Sequence, residues 1–172
     1  MGGTIVALAL APAVMGGVAA VGPGMVESGV IESGGADERL AEAMRHAAAR
    51  RLDQAAAAFA EILESDPDNV SALVGLAWVN NDRNEYGAAA VCALRAVNLQ
   101  PGCSPAWREY GYALWRSGRI RPAVRALSEA IEADRRDWTA YDYLIALHDQ
   151  EGEAAKADAV RRAKARAEER QR

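Results

Sequence analysis

Few side chains in this sequence could do chemistry on their own. The two histidines, His46 and His148, could carry protons or bind a metal, but each falls on an expected helix near a turn, where a packed or surface histidine is the ordinary role. Cys92 and Cys103 could form a disulfide or act as a thiolate nucleophile. Cys92 lies inside a helix and Cys103 just past its end; the stretch to Leu99 already spans roughly 10 Å, whereas a bridge needs alpha carbons within about 7 Å. Two free thiols are therefore expected. Asp66-Pro67-Asp68-Asn69 has the look of a calcium loop, but no acidic partners follow at loop spacing and a turn between helices explains it better. Asn69-Val70-Ser71 is a glycosylation sequon, with meaning only in a eukaryotic secretory route. No glycine-rich loop follows a strand, so nucleotide fingerprints fail on context. Neither a catalytic residue, a cofactor nor a metal is expected.

What remains is a surface for binding. The chain has 172 residues, 51% of them hydrophobic and 26% charged, with a net charge of −4. That composition is ordinary for a soluble globular chain, and an acidic balance argues against a nucleic-acid partner. The end of the chain departs from the average: Arg161, Arg162, Lys164, Arg166, Arg170 and Arg172 stand against Glu168 and Glu169. Residues 161–172 read as a basic capping extension of the last helix, whose cations suit the negative end of a helix dipole. Contact with an anionic membrane or a nucleic acid is the competing role.

A compositional break divides the chain near residue 36. Residues 1–35 hold nine of the 15 glycines and two charges, Glu27 and Glu32, and no Lys or Arg occurs before Arg39. Thr4 to Val21 is 18 residues without a charge, and Val18-Ala19-Ala20 offers small residues for cleavage. Residues 1–21 thus read as a signal-peptide-like or membrane-anchor segment, although the start lacks the usual basic residue. A plain small-residue tail is the third reading. Residues 22–36 read as a flexible linker. Export to the periplasm or medium, or membrane anchoring, follows from the first two readings, and a cytoplasmic location from the third.

From Asp37 onward the dominant signal is a period of 34. Ala55, Ala89, Ala123 and Ala157 keep that spacing, as do Leu73, Trp107 and Tyr141, and Leu76, Tyr110 and Leu144. Leu52, Tyr86 and Ile120 form another column, with Pro67 and Pro101, and Gly118 and Gly152. Each unit reads as two helices. Trp107, Tyr110, Gly111 and Leu114 fall on one helical face, Ser117-Gly118 ends that helix, and Pro122 suits the first turn of the next. The expected helices are 37–49, 52–65, 70–82, 86–99, 104–117, 120–133, 138–150 and 153–170. Gly111 and Ala77 on first helices, with Ala123 and Ala89 on second helices, let paired backbones approach closely.

These motifs resemble the tetratricopeptide repeat, whose pattern is Trp-x2-Leu-Gly-x2-Tyr, then Ala-x3-Phe, then Pro. The third unit reads Trp107-x2-Tyr110-Gly111-x2-Leu114, then Ala123-x3-Leu127. Departures lie at the edges. Arg39 and Glu42 displace the first apolar stripe onto Leu40, Ala43, Met44 and Ala47; Arg135 replaces a proline; Arg161 and Lys164 occupy the places of Phe59 and Ile62. Terminal repeats are commonly atypical because one face meets solvent. The resemblance implies an all-α, right-handed superhelical solenoid of about four stacked antiparallel helix pairs over residues 37–160, with first helices lining a concave groove.

A second stripe on the first helices, one residue over from the buried face, supplies that groove independently: Val74, Trp78 and Asn81, then Arg108, Tyr112 and Trp115, then Asp142, Ala146 and Asp149. The groove is expected to be aromatic in the middle, with Arg108 and Arg116 near Asp82, Asp142 and Asp149. Aromatic and arginine side chains are the usual binding hot spots. One branch of the family grips a peptide's terminal carboxylate through Lys, Asn and Arg. The matching places here hold Leu40, Met44, Gly75, Pro105 and Glu109, so no such clamp is expected. The leading reading is a non-enzymatic scaffold or adaptor that holds a protein or peptide partner in the groove. The competing one is a structural subunit of a larger membrane-associated assembly that uses its edges and basic last helix.

Overall fold

The computed structural model describes residues 33–170. The signal or anchor reading of 1–21 and most of the linker reading of 22–36 lie outside the described residues, as do Gln171 and Arg172. Eight helices and no strand occur among the described residues: α1 Ser33–Ala48, α2 Leu52–Ser65, α3 Val70–Asp82, α4 Tyr86–Leu99, α5 Ser104–Arg116, α6 Ile120–Ala133, α7 Trp138–Gln150 and α8 Ala154–Glu169. The helix boundaries agree with the 34-residue columns to within a residue except at α1, which begins four residues before 37. No described helix is long and apolar enough to cross a membrane.

Helices pair as α1–α2, α3–α4, α5–α6 and α7–α8, and each pair stacks on the next. First helices also touch one another in the order α1, α3, α5, α7, while second helices do not. That asymmetry puts the first helices on the inner, concave side of the stack.

The turn inside each hairpin repeats one device. Arg50, Asn84, Gly118 and Gly152 are 34 residues apart, and all four adopt left-handed backbone, with φ of 59°, 63°, 75° and 72°. Each donates its N–H to the residue three back, and the following residue donates to the one five back, as in Arg51 to His46 and Arg119 to Leu114. This closes the orphan carbonyls of the first helix. Glycine does it without strain, Asn nearly so, and Arg50 at a cost of roughly 1–2 kcal/mol. Between units a second device repeats. Asn69, Cys103 and Asp137 each donate N–H to the residue three before. Arg135 in place of a proline therefore leaves the turn intact, with Asp134 accepting from the Arg136 N–H at 2.8 Å. The Asp66–Asn69 carboxylates serve this turn: Asn69 donates to Asp66 and caps α3, and Asp68 pairs with Arg95 at 2.8 Å.

Small residues bring the hairpins together. Ala55, Ala77, Ala89, Ala123 and Ala157 are all fully buried. A Cβ added to Gly111 would lie 2.8 Å from Leu127 Cγ, so α5 and α6 approach through that glycine. Ala123→Leu is expected to overpack the same seam and lower unfolding stability by about 1–3 kcal/mol in a urea titration. At the far end, α8 buries only Ala157 among its own residues, and Arg161 and Lys164 reach back to Asp149 and Asp142 at 2.5 and 2.6 Å. Ion pairs there take the place of the hydrophobic contacts that Phe59 and Ile62 make in the first unit.

Candidate functional site

The inner side of the stack carries a hollow of about 620 Å³ between α1, α3 and α5. Its walls are mostly apolar: Met44 and Ala47 from α1, Val70, Val74 and Trp78 from α3, and Cys103 and Pro105 at the start of α5. Arg108 and Glu109 close one end. Met44 stands 57% exposed at the mouth, an unusual position for so large an apolar side chain. Trp78 is half-buried, with the Arg50 guanidinium 5.9 Å from its ring centroid. The floor is the Phe59 ring, which occupies the space where a side chain on Gly75 would begin.

The register between neighbouring first helices explains why the hollow lies there. Asn81 of α3 meets Glu109 of α5, and Trp115 of α5 meets Tyr143 of α7, each 28 residues on. The corresponding pair between α1 and α3 is Ala47 and Gly75, both of which line the hollow. Two large groups fill the last seam, two polar groups the middle one, and the first is left open by two small ones.

The middle seam is a buried polar strut. Asn81 Nδ2 donates to the backbone oxygen of Glu109 at 3.1 Å and to its Oε2 at 3.0 Å. Arg108 Nε donates to Glu109 Oε1 at 3.2 Å and its Nη1 to Asp137 Oδ2 at 2.7 Å. Ser104 Oγ donates to the same Asp137 oxygen at 2.8 Å, and Asp137 Oδ1 accepts from the Ala140 N–H at the start of α7. The strut thus joins α3, α5 and α7. Burial pushes the Glu109 carboxyl above its ordinary value of 4.5, and Arg108 and Asn81 only partly offset this. For Arg108, burial works against the charge, but Glu109 and Asp137 outweigh it and hold the guanidinium pKa up.

The sign of the resulting pH dependence is definite. A carboxyl whose folded pKa is raised binds its proton more tightly when folded, so its contribution is most favourable below the unfolded pKa and is lost as pH rises through the folded one. Wild type should therefore gain stability on Glu109→Gln as pH falls from neutrality toward 4.5. Paired urea titrations across that range test this, and a constant difference would show that Glu109 titrates alike in both states.

The expected groove residues separate into three groups. Val74, Trp78 and Arg108 line the hollow. Asn81 does not face a ligand: it is 4% exposed and spent on the strut. Tyr112 and Trp115 form a cluster with Tyr143, with ring centroids 4.7 Å apart for Tyr112–Tyr143 and 5.9 Å for Tyr112–Trp115. They seal α5 against α7, and the Trp115 indole N–H is buried without a partner. Burial, then Glu109 and Tyr112, push the Tyr143 hydroxyl up to about 12.

Arg108 and Arg116, expected near Asp82, Asp142 and Asp149, form no ion pair with them among the described residues. Asp82 pairs with Arg50, Asp142 with Lys164 and Asp149 with Arg161. Arg116 instead lies over the rings of Tyr86 and Tyr112, 5.3 and 5.7 Å from their centroids, and donates to the Tyr112 hydroxyl. The pairs that form lie between neighbouring units for Asp82 and across the α7–α8 hairpin for Asp142 and Asp149.

Of the remaining polar groups, His148 is buried against Glu153 at 2.7 Å, and Cys92 and Cys103 are free thiols. Among the described residues no cluster of three or more His, Cys, Asp or Glu could hold a metal. Glu109, at one of the clamp positions, is 2% exposed and compensated by Arg108. Sequence reasoning passed over Val70, Cys103 and Pro105 as lining residues. Their signal was position, since each lies at or before the first turn of a first helix.

The geometry is that of an all-α repeat scaffold with a trough along its first helices. Residues 40–105 match the model of the tetratricopeptide repeat family. The stacked helix pairs share the fold of tetratricopeptide repeats. Protein CTR9 homolog of Arabidopsis thaliana is 32% identical over 84 residues, which cover 48% of this chain and 8% of that protein. The chain therefore spans under a tenth of that relative. MamA from Desulfovibrio magneticus RS-1 superposes with a TM-score of 0.69 at 15% identity, over 79% of this chain and 77% of MamA. The first repeat domain of Spaghetti (RPAP3), bound to an HSP90 peptide, superposes with a TM-score of 0.64 at 15% identity, over 73% and 99%. These last two likenesses show the fold.

Proposed function

We propose that the array is a non-enzymatic adaptor that seats a peptide segment of a partner protein in the trough of α1, α3 and α5, with apolar side chains as the anchors. The observation that carries this reading is the hollow itself. It has the size of a small-ligand or side-chain pocket, its walls are apolar, and its charges already compensate each other. The repeat domain seen with an HSP90 peptide supports peptide binding as a use of this fold. A terminal carboxylate is a poor fit, because Met44, Gly75, Pro105 and Glu109 line the hollow where cationic donors would be needed.

A photoreactive phenylalanine at Met44, expressed in the full chain in its native cells, should give a discrete adduct. Val74→Glu should remove that adduct, with affinity lowered by about 2 kcal/mol or more, while Val91→Glu on the exposed face of α4 should leave it. Helical circular dichroism should be unchanged in both. An adduct that survives Val74→Glu at wild-type yield would place the partner elsewhere.

A further inference from the structure

A second recess lies on the other side of the molecule, apart from the trough. Helices α6 and α8 do not touch, and α7 floors the gap between them. Two hollows of about 400 and 310 Å³ share Ile131, Glu132, Tyr141 and Ala163 and so form one cleft. Its floor and walls are apolar: Ile131 from α6, Tyr141 and Leu144 from α7, and Val160 from α8. The gap stays open because α8 presents Ala159, Ala163 and Ala167 toward α6.

The rim is basic, and among the described residues its charges are unspent. Arg135, Arg166 and Arg170 line the cleft with one acid, Glu132. Among the described residues none of these four has an ion-pair partner. On the same helix Lys156 pairs with Glu153, Arg161 with Asp149 and Asp158, and Lys164 with Asp142, while Arg162 has no ion-pair partner among the described residues. The two α8 cations that reach α7, Arg161 and Lys164, are paired with its carboxylates, and the side toward α6 is left positive on a chain of net charge −4.

We propose that this cleft is a second protein-docking site, which takes an acidic amphipathic segment: an apolar side chain seated on Ile131, Tyr141 and Val160, flanked by carboxylates on Arg135, Arg166 and Arg170. A recessed floor suits an inserted side chain. A bilayer would need apolar groups that protrude, and a nucleic acid would need a broader positive field than this rim gives.

The test uses a fluorescein-labelled synthetic helix with leucines on one face and glutamates beside them, and the same peptide with glutamine for glutamate. Anisotropy titrations use the full chain. The glutamate peptide should bind with salt-sensitive affinity, and the glutamine peptide about tenfold or more weaker. Arg135→Glu with Arg166→Glu should weaken the glutamate peptide by a similar factor, and Val160→Arg should abolish binding with helicity intact. Trp78→Ala, in the trough, should leave it unchanged, so failure here and failure of the trough reading are separable. Three results would each overturn the proposal: loss of the glutamate peptide with Trp78→Ala but not with the arginine pair, saturable binding to phosphatidylserine vesicles in place of either peptide, or no binding by any of them.

Discussion

Phe59→Ala should lower the stability of the array by about 3–5 kcal/mol. The ring is 1% exposed and is the largest fully buried side chain among the described residues. It ties three helices together, since it packs in one core with Ala43 and Ala47 of α1, Ala55 and Ile62 of α2, and Ala72 and Val79 of α3. No neighbour can relax fully into the space, because helices that already meet through alanine have no side chains to extend. The loss is a large share of a typical domain stability of about 5–15 kcal/mol.

A second substitution distinguishes this account from a general loss of apolar surface. Gly75→Val alone should destabilise, because its first carbon would overlap the Phe59 ring. In the Phe59→Ala background the same change should recover part of the loss, since it refills the vacated space and removes a helical glycine. Additive effects in urea titrations would mean that the ring and the glycine do not share one site. Because both also line the trough, the double variant should alter its floor while the backbone stays in place.

Most of the architecture was legible in the sequence because it is written in like residues at one spacing. The alanine column marks helix contacts, and Gly118 and Gly152 mark two hairpin turns. The column of Leu52 and Tyr86 places the other two turns, but their left-handed residues went unmarked, since Arg50 and Asn84 take that backbone without being glycine. The trough was harder to read for a related reason. A period of 34 aligns equivalent residues, but contact between neighbouring first helices runs at 28, as in Asn81 with Glu109 and Trp115 with Tyr143. Whether an aromatic on the inner stripe faces a ligand or a neighbour depends on what lies 28 residues away. Trp115 finds Tyr143 and closes; Ala47 finds Gly75, and the recess opens beside Trp78. Charges were less legible still, because a 34-residue period does not say which cation faces Asp82, Asp142 or Asp149, and each pairs with a cation outside the groove stripe, Arg50, Lys164 and Arg161.

Arg108→Met should cost about 3–5 kcal/mol, the usual consequence of removing one partner from a buried ion pair. Its guanidinium serves two carboxylates that are nearly out of water, Glu109 and Asp137, with side chains 2% and 5% exposed. Asp137 keeps Ser104 and the Ala140 N–H, but Glu109 is left with Asn81 alone. Burial already pushes the Glu109 proton affinity up against the pull of Arg108, so without that cation the carboxyl should take up its proton at still higher pH. The variant should thus be least stable relative to wild type at neutral pH and recover ground in acid. Adding Glu109→Gln should restore part of the loss at neutral pH, because it removes the stranded charge while an amide oxygen can still accept from Asn81. If instead the two changes lower stability additively at every pH, the strut is a set of independent surface contacts. If the cycle shows coupling well above about 1 kcal/mol, the strut that joins α3, α5 and α7 also fixes the closed end of the trough, and substitutions at Arg108 will change peptide affinity through the position of α5 as well as through lost contact.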